Sequence, residues 1–232
     1  KRSDFMNMNR ETKKDLGLAI QLFYKDVFEF NKIAGRTLHE SEYENQLSTV
    51  KEEAKELATG LAENDLVEVV DAIADSLFTA SFAVGILDGS DAITKNAPKY
   101  LNTSETPVEE LIPEALEYLE QGNMIDFLTT VEDMCIVVNA DVPYCLDQVS
   151  KSNLSKFPLV KDISDPDEVC SQIEDLGRYD NVSYSESSKF GEPCYVFKAT
   201  LDKSNSTNYP NGKVVKPLEE HGYFEPSIAV YE

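Results

Sequence analysis

The chain has little positive charge, only two histidines and no tryptophan. Its 21 Lys and Arg residues stand against 43 Asp and Glu residues, which gives a formal net charge of −22 over 232 residues. Such a charge repels nucleic-acid backbones and anionic lipid surfaces unless the few basic residues gather on one face. We therefore expect neither a nucleic-acid partner nor a membrane partner. A phosphorylated small molecule would need divalent cations to approach this protein.

Closely spaced cysteines are also missing. The four cysteines form no CxxC pair and have only two histidines to assist them as metal ligands. A zinc site is therefore not expected. The N-terminus has no apolar signal segment, so free thiols in a cytoplasmic protein are favoured over a disulfide framework. The cysteines are Cys135, Cys145, Cys170 and Cys194.

No apolar run has the length of a membrane span. The longest, 76–87, covers about 12 residues, whereas a span requires about 20. What the chain does have is apolar residues at steps of three and four, which predict amphipathic helices. We predict helices over about 12–33, 41–61, 65–87, 108–120, 124–139 and 142–152, with a connector over 88–106.

Two parts of the helical region resemble each other. At an offset of 58 residues, the segment from Leu61 aligns with the segment from Leu119, and Glu56 meets Glu114. We interpret this as a degenerate tandem repeat of a helical hairpin, which predicts a four-helix-bundle core within one mainly α domain. Chance similarity between two amphipathic hairpins is the alternative.

The predicted organisation has three parts. Residues 1–11 form an N-terminal arm, 12–157 the all-α domain, and 158–232 a loop-rich extension that packs on the bundle. The extension is rich in Ser, Asn, Pro and Tyr. Within it, 194–201 has strand-like composition and 182–185 is a candidate partner, so we expect a short β-hairpin there.

Carboxylates gather on the second and third predicted helices. Glu53 and Glu56 lie three apart on one helix, and Glu68, Asp71 and Asp75 share a narrow arc of the next. The third helix is otherwise almost wholly apolar, and no Lys or Arg occurs between residues 55 and 95. Clustered, partly buried carboxylates must take up protons or bind a cation. Oxygen ligands without Cys or His favour Mg²⁺, with Mn²⁺ possible. For Glu52 and Glu63 we expect a solvated acidic surface.

These residues resemble the all-α nucleoside triphosphate pyrophosphohydrolase superfamily, which includes MazG, the dimeric dUTPases and phosphoribosyl-ATP pyrophosphohydrolase. The resemblance lies in an ExxE pair, Glu53 and Glu56, followed by an ExxD pair, Glu68 and Asp71. The segments SNLSKF (152–157), GKVVKP (212–217) and YFEP (223–226) look like the phage and bacterial phosphoribosyl-ATP pyrophosphohydrolase-like branch. Residues 158–209 look longer than is usual there.

The resemblance implies a Mg²⁺-dependent enzyme that cleaves a (d)NTP to (d)NMP and pyrophosphate. Glu53, Glu56, Glu68 and Asp71 would hold the metal, and Glu53 would also accept the proton of the attacking water. Further residues would contact the substrate, and the superfamily implies a homodimer or homotetramer. If the chain is phage-encoded, the host cytoplasm is the expected location. The substrate-binding candidates are Asp75, Asn153, Lys156, Lys213 and Lys216.

Two other functions stay open at this point. A catalytically inactive protein could sequester a nucleotide or a protein partner with the same side chains. A helical scaffold without any ligand is the third possibility. In the second half of the repeat, Leu111 replaces Glu53 and Thr129 replaces Asp71. We therefore expect one active metal site and one decayed half.

Overall fold

The computed structural model of the protein describes residues 10–89 and 105–231, with side chains from residue 15 onward. The described chain is mainly helical and carries a small antiparallel sheet near its C-terminal end, as predicted. The helices are α1 (Arg10–Ile33), α2 (Tyr43–Glu63), α3 (Leu66–Asp88), α4 (Val108–Glu120), α5 (Met124–Val137), α6 (Val142–Ser155) and α7 (Pro166–Asp175). The strands are β1 (Tyr179–Lys189), β2 (Glu192–Asp202) and β3 (Thr207–Val214), in the order β1-β2-β3.

Helix α1 buries the apolar stripe that its sequence predicts. Its residues Ile20, Phe23 and Val27 are almost completely buried, and the helix packs against α3 and α6. The helix ends where Gly35 adopts a positive φ of 70°, a conformation that glycine takes without steric cost. The predicted arm, residues 1–11, lies almost entirely outside the described residues.

Helices α2 and α3 form a tight hairpin. Asn64 takes the left-handed conformation at the end of α2, and its N–H bonds to the Gly60 carbonyl. Asp65 then caps α3, because its carboxylate accepts hydrogen bonds from the N–H groups of Val67 and Glu68. This short connection makes α2 and α3 packed antiparallel neighbours, as the sequence predicts.

Helix α3 is the central helix of the described chain. By length and composition it is the one described helix that could cross a membrane, yet 89% of its most apolar window is buried inside the protein. Its ring contacts include Phe78 against Phe23 and Phe30 of α1. A helix that is apolar nearly all round finds partners on every side in a core, and here α1, α2, α5 and α6 supply them.

Helices α4 and α5 form a second pair, joined at Gly122 with a positive φ of 74°. This pair lies against the first hairpin, since α5 contacts α3 and α4 contacts α2. Leu111 and Ile112 of α4 and Phe127 of α5 are buried in the shared core. Most of the predicted connector, residues 90–104, lies outside the described residues.

The C-terminal part has more regular structure than we predicted. The expected β-hairpin is present, with Val182 opposite Ala199 and Ser185 opposite Val196. Helix α7 and strand β3 correct the prediction that the rest is loop. Asp165 caps α7, and Pro166 is the first residue of the helix. An aspartate followed by a proline is a typical helix start, and the sequence contains it. Strand β3 tolerates Pro210 because it lies at the edge of the sheet.

The C-terminal tail contacts the helices at several points. The N–H of Asp141 donates to the carbonyl of Ala229 at 3.0 Å, and the N–H of Tyr231 donates to Asn139 at 2.9 Å. Ser152 of α6 donates to the carbonyl of Phe224 at 2.9 Å. These contacts bring the C-terminal segment beside α6. All four cysteines are buried free thiols, which confirms that prediction.

Candidate functional site

A cavity of about 210 Å³ lies where α2, α3 and α6 meet the C-terminal segment. Its lining contains every predicted site residue except Glu68, together with several that we did not predict. The predicted residues that line it are Glu53, Glu56, Asp71, Asp75, Asn153, Lys156, Lys213 and Lys216. Acids from two helices and lysines from distant parts of the chain therefore share one polar cavity.

Helix geometry places the acids. Residues three or four apart lie on the same side of a helix, so Glu53 and Glu56 share one side of α2, and Asp71 and Asp75 one side of α3. The core holds these helices together because Ala54 and Leu57 of α2 and Ile73 of α3 are buried in it. The two acidic edges thus meet at the interface of the hairpin.

The four carboxyl groups perturb one another. Burial, and then the charges of Asp75 and Glu56, raise the pKa of Glu53 well above its ordinary value. Burial and Asp75 likewise raise the pKa of Glu56. Burial, Asp75 and Glu68 raise the pKa of Asp71 to about 7. Each side chain is partly exposed to the cavity, but the surrounding protein removes most of its bulk hydration. The cluster therefore favours protons or a cation over four bare charges.

Asp71 has one carboxylate oxygen without a hydrogen-bond partner in the described chain. This atom, Oδ1, is buried. A buried acceptor without a partner costs about 1–3 kcal/mol. Since buried polar atoms are rarely left unpaired, this atom marks a place where a cation or a polar ligand group would be favourable.

Lysines and Arg178 supply the positive charge of the cavity. Burial lowers the pKa of Lys156, although the charge of Asp75 opposes that effect. Lys156 donates from Nζ to Asn153 Oδ1 at 2.6 Å. Burial raises the pKa of Asp75, and the charges of Lys156 and Lys213 oppose that effect. Lys216 pairs with Glu225, which also accepts a hydrogen bond from Tyr223 at 2.6 Å. The arrangement can bind anionic oxygens beside an acidic cluster.

Glu52 corrects one prediction, since it is not a solvated surface acid. It accepts hydrogen bonds from Arg178 Nη2 at 2.8 Å and from the Tyr209 hydroxyl at 3.0 Å, and it pairs with Lys213. Arg178 Nη2 also reaches the fully buried Asp202 at 2.9 Å. Glu52 therefore joins α2 to the sheet and holds Lys213 at the edge of the cavity. Its partners lie more than 120 residues away in sequence, so local pattern could not reveal them.

Glu68 lies beside the cavity rather than in its lining. It sits in the first turn of α3, where Asp65 caps its N–H, and its charge raises the pKa of both Glu56 and Asp71. Within the described residues, no group of three or more Asp, Glu, His or Cys side chains is arranged as a ready metal site. The donor set still fits a hard divalent cation, because several carboxylates converge and Asp71 Oδ1 has no partner in the described part of the chain.

Several lining residues escaped prediction. Tyr179, Tyr223 and Glu225 come from the C-terminal part and line the cavity beside Arg178. Glu225 belongs to the YFEP segment whose resemblance we noted, which was the available signal for it. Tyr223 belongs to the same segment, whereas Tyr179 and Arg178 carry no local pattern that separates them from ordinary surface residues.

Comparisons of the chain with family models, with curated proteins and with solved structures returned no match. The geometry of the cavity is therefore the basis for any functional conclusion.

Proposed function

We propose that the protein is a Mg²⁺-dependent nucleoside triphosphate pyrophosphohydrolase, which converts a (d)NTP and water to a (d)NMP and pyrophosphate. One observation carries the proposal. Acids of two neighbouring helices line a single cavity with Lys156, which follows α6, and with lysines of the C-terminal part, and one carboxylate oxygen there has no partner among the described residues. Acids alone would suit a bare cation, and lysines alone a free anion. Their combination suits a triphosphate that carries a divalent cation.

The fold proposal is the all-α nucleoside triphosphate pyrophosphohydrolase superfamily, near its phage and bacterial phosphoribosyl-ATP pyrophosphohydrolase-like branch. The core would be a four-helix bundle made from a tandem hairpin repeat. The packing of the α2–α3 pair on the α4–α5 pair supports it. So does Leu111, which is buried in the core at the position that aligns with Glu53. On this proposal the α4–α5 hairpin still packs against the α2–α3 hairpin but has lost the metal-binding residues.

Glu53, Glu56, Glu68 and Asp71 would hold Mg²⁺, or Mn²⁺ in its place. When bound, the ion would stabilise negative charge on the phosphoryl oxygens. This assignment agrees with the electrostatics, because a cation would offset the repulsion that raises the pKa values of Glu53, Glu56 and Asp71. The charge of Glu68 raises the pKa of Glu56 and Asp71, which supports its part in the set, although Glu68 lies outside the cavity lining.

The protein side chains then have separate tasks in the reaction. A water oxygen bonds to the α phosphorus, the bond from that phosphorus to the bridging oxygen of the β phosphate breaks, and pyrophosphate leaves. Glu53 accepts the proton of the water, a task that its raised proton affinity favours. Lys156, Lys213 and Lys216 would contact the phosphates, and Asn153 would orient Lys156 or contact the ribose. Asp75 would keep Lys156 charged.

Sequestration of a nucleotide without hydrolysis is the rival proposal, since the same cavity could bind and not react. Incubation with a panel of NTPs and dNTPs plus Mg²⁺ separates the two, with products resolved by anion-exchange chromatography. Release of pyrophosphate supports the enzyme. Recovery of intact nucleotide in a stable complex supports sequestration, and release of single phosphates contradicts attack at the α phosphorus.

We expect Glu56→Gln to abolish turnover and leave the helical circular-dichroism spectrum unchanged. The matched control is Glu114→Gln, the same change at the aligned position of the second hairpin, where the side chain is exposed. It should retain full activity. Full activity of Glu56→Gln would remove this residue from the mechanism.

We also propose that the protein is a homodimer or homotetramer located in the cytoplasm. Light scattering after size-exclusion chromatography tests the oligomeric state.

A further inference from the structure

A second cavity, of about 90 Å³, adjoins the acidic one. The two share lining residues, among them Glu53, Asp75 and Lys156, so a ligand could extend from one into the other. A single water requires about 10–15 Å³ of such space. The second cavity is therefore several times larger than one water needs, and the function proposed above gives it no role.

Arg36 is held rigidly in the wall of this cavity. Its Nη1 donates to Asn31 Oδ1 at 3.1 Å, its Nε donates to Glu42 at 3.3 Å, and its guanidinium lies 5.0 Å from the ring centre of Phe82. The Nη2 atom is buried and has no hydrogen-bond partner among the described residues. The wall thus holds one oriented, unused donor.

Two amide side chains of α2 add unused acceptors. Gln46 donates from Nε2 to the carbonyl of Thr79 at 2.6 Å, which determines the orientation of its amide. Its Oε1 atom is buried without a partner in the described part of the chain, and so is Oδ1 of Asn45. Both residues are at least 96% buried, and both line the cavity. Leaving such acceptors unpaired is unfavourable, so a ligand that donates to them gains affinity.

Two aromatic rings in the lining suit a flat ligand. Phe30 and Phe78 line the cavity and meet edge to face, with ring centres 5.1 Å apart. Aromatic walls together with a few oriented polar groups are the usual composition of a small-molecule site. The cavity therefore offers aromatic surface for a heterocycle, and three of the described residues that line it each carry a buried polar atom without a partner.

We propose that the second cavity binds the base of the nucleotide and selects guanine. The unpaired set is one donor, on Arg36, and two acceptors, on Asn45 and Gln46. The Watson–Crick edge of guanine has the matching groups, because O6 accepts while N1–H and the 2-amino group donate. Adenine and cytosine each donate from one group on that edge, and uracil donates only from N3–H, so each leaves an acceptor unpaired. This inference rests on the proposed function, in that the phosphates extend into the acidic cavity.

Binding of uncharged nucleosides tests the base site without metal or hydrolysis. We would measure guanosine, inosine and adenosine by equilibrium dialysis against the wild-type protein in EDTA. Inosine differs from guanosine only in lacking the 2-amino group. Guanosine should bind about 10-fold or more tightly than the other two, the cost of one unpaired buried acceptor. Equal binding of guanosine and inosine, or no binding of guanosine, would overturn the proposal.

A substitution tests the residue assignment. Gln46→Met keeps the size of the side chain and removes its acceptor, so the preference for guanosine over inosine should fall by about 10-fold. Gln121→Met, at an exposed position after α4, is the matched control and should keep the preference. An unchanged preference in Gln46→Met would overturn the role of Gln46. If that variant does not fold, the comparison of nucleosides on the wild type still decides.

The hydrolysis assay separates this proposal from the previous one. With Mg²⁺, GTP should have a kcat/KM at least about 10-fold above those of ITP and ATP. Equal hydrolysis of all three would overturn guanine selection and leave the pyrophosphohydrolase standing. Selective binding of guanosine without hydrolysis of any triphosphate would overturn the pyrophosphohydrolase and leave guanine selection standing.

Discussion

Replacement of Asp71 by asparagine should stabilise the metal-free protein at neutral and alkaline pH. Burial, Asp75 and Glu68 raise the pKa of Asp71 from 3.8 to about 7. The pKa of Asp71 in the folded chain is thus about 3 units above its ordinary value. One pKa unit corresponds to about 1.36 kcal/mol, so the ionised carboxylate lowers the free energy of unfolding by at most about 4 kcal/mol. Because the side chain is partly exposed to the cavity, solvent screening reduces the expected gain to about 1–2 kcal/mol.

The sign of the effect depends on pH. Between about pH 4 and pH 7 the folded chain keeps a proton on Asp71 that the unfolded chain has released. The contribution of Asp71 to stability therefore decreases as the pH rises through this window, and the full cost is present above about pH 7. Asparagine does not titrate. Its advantage should be small near pH 4, increase toward pH 7 and then stay constant.

Thermal and urea unfolding in EDTA at pH 5 and pH 8 would measure this difference. For a chain of this size, about 1–2 kcal/mol corresponds to a Tm increase of about 2–8 °C. Glu114→Gln, at an exposed position, should change stability by less than about 0.5 kcal/mol. Mg²⁺ should raise the Tm of the wild type and have less effect on Asp71→Asn. A loss of stability in Asp71→Asn at pH 8, or an equal gain at both pH values, would refute the reasoning.

Two further predictions concern the basic residues. Arg178→Ala should lower the free energy of unfolding by about 2–4 kcal/mol in a urea titration, because it leaves the carboxylate of Asp202 buried without its guanidinium partner. The control is Lys203→Ala, which removes an exposed ion pair and should lower the free energy of unfolding by less than about 1 kcal/mol. Equal losses in the two variants would contradict the role of Arg178. Lys156→Met should lower kcat/KM for the triphosphate by about 100-fold while the fold persists. Unchanged kinetics would place Lys156 outside the phosphate site.

The local parts of the fold were accessible from the sequence. The apolar stripe of α1, the breaks around Asn64 and the acidic pairs of α2 and α3 all depend on residues within one or two helical turns. Helix α7 was equally local, since Asp165 and Pro166 form a start signal, and missing it was an error of interpretation. Strand β3 was harder, because Pro210 argues against a strand unless its edge position is known.

The sequence by itself determined that the chain is mainly helical and that two neighbouring helices carry facing acids, because periodicity and caps act over short distances. Only the tertiary structure decided that Glu52 is held by Arg178, Tyr209 and Lys213, and that Arg36, Asn45 and Gln46 enclose a second cavity. The first grouping depends on how α2 packs against segments more than 120 residues away, including β3, and the second depends on how α1, α2 and α3 pack around Arg36. No local pattern encodes which distant side chains meet there.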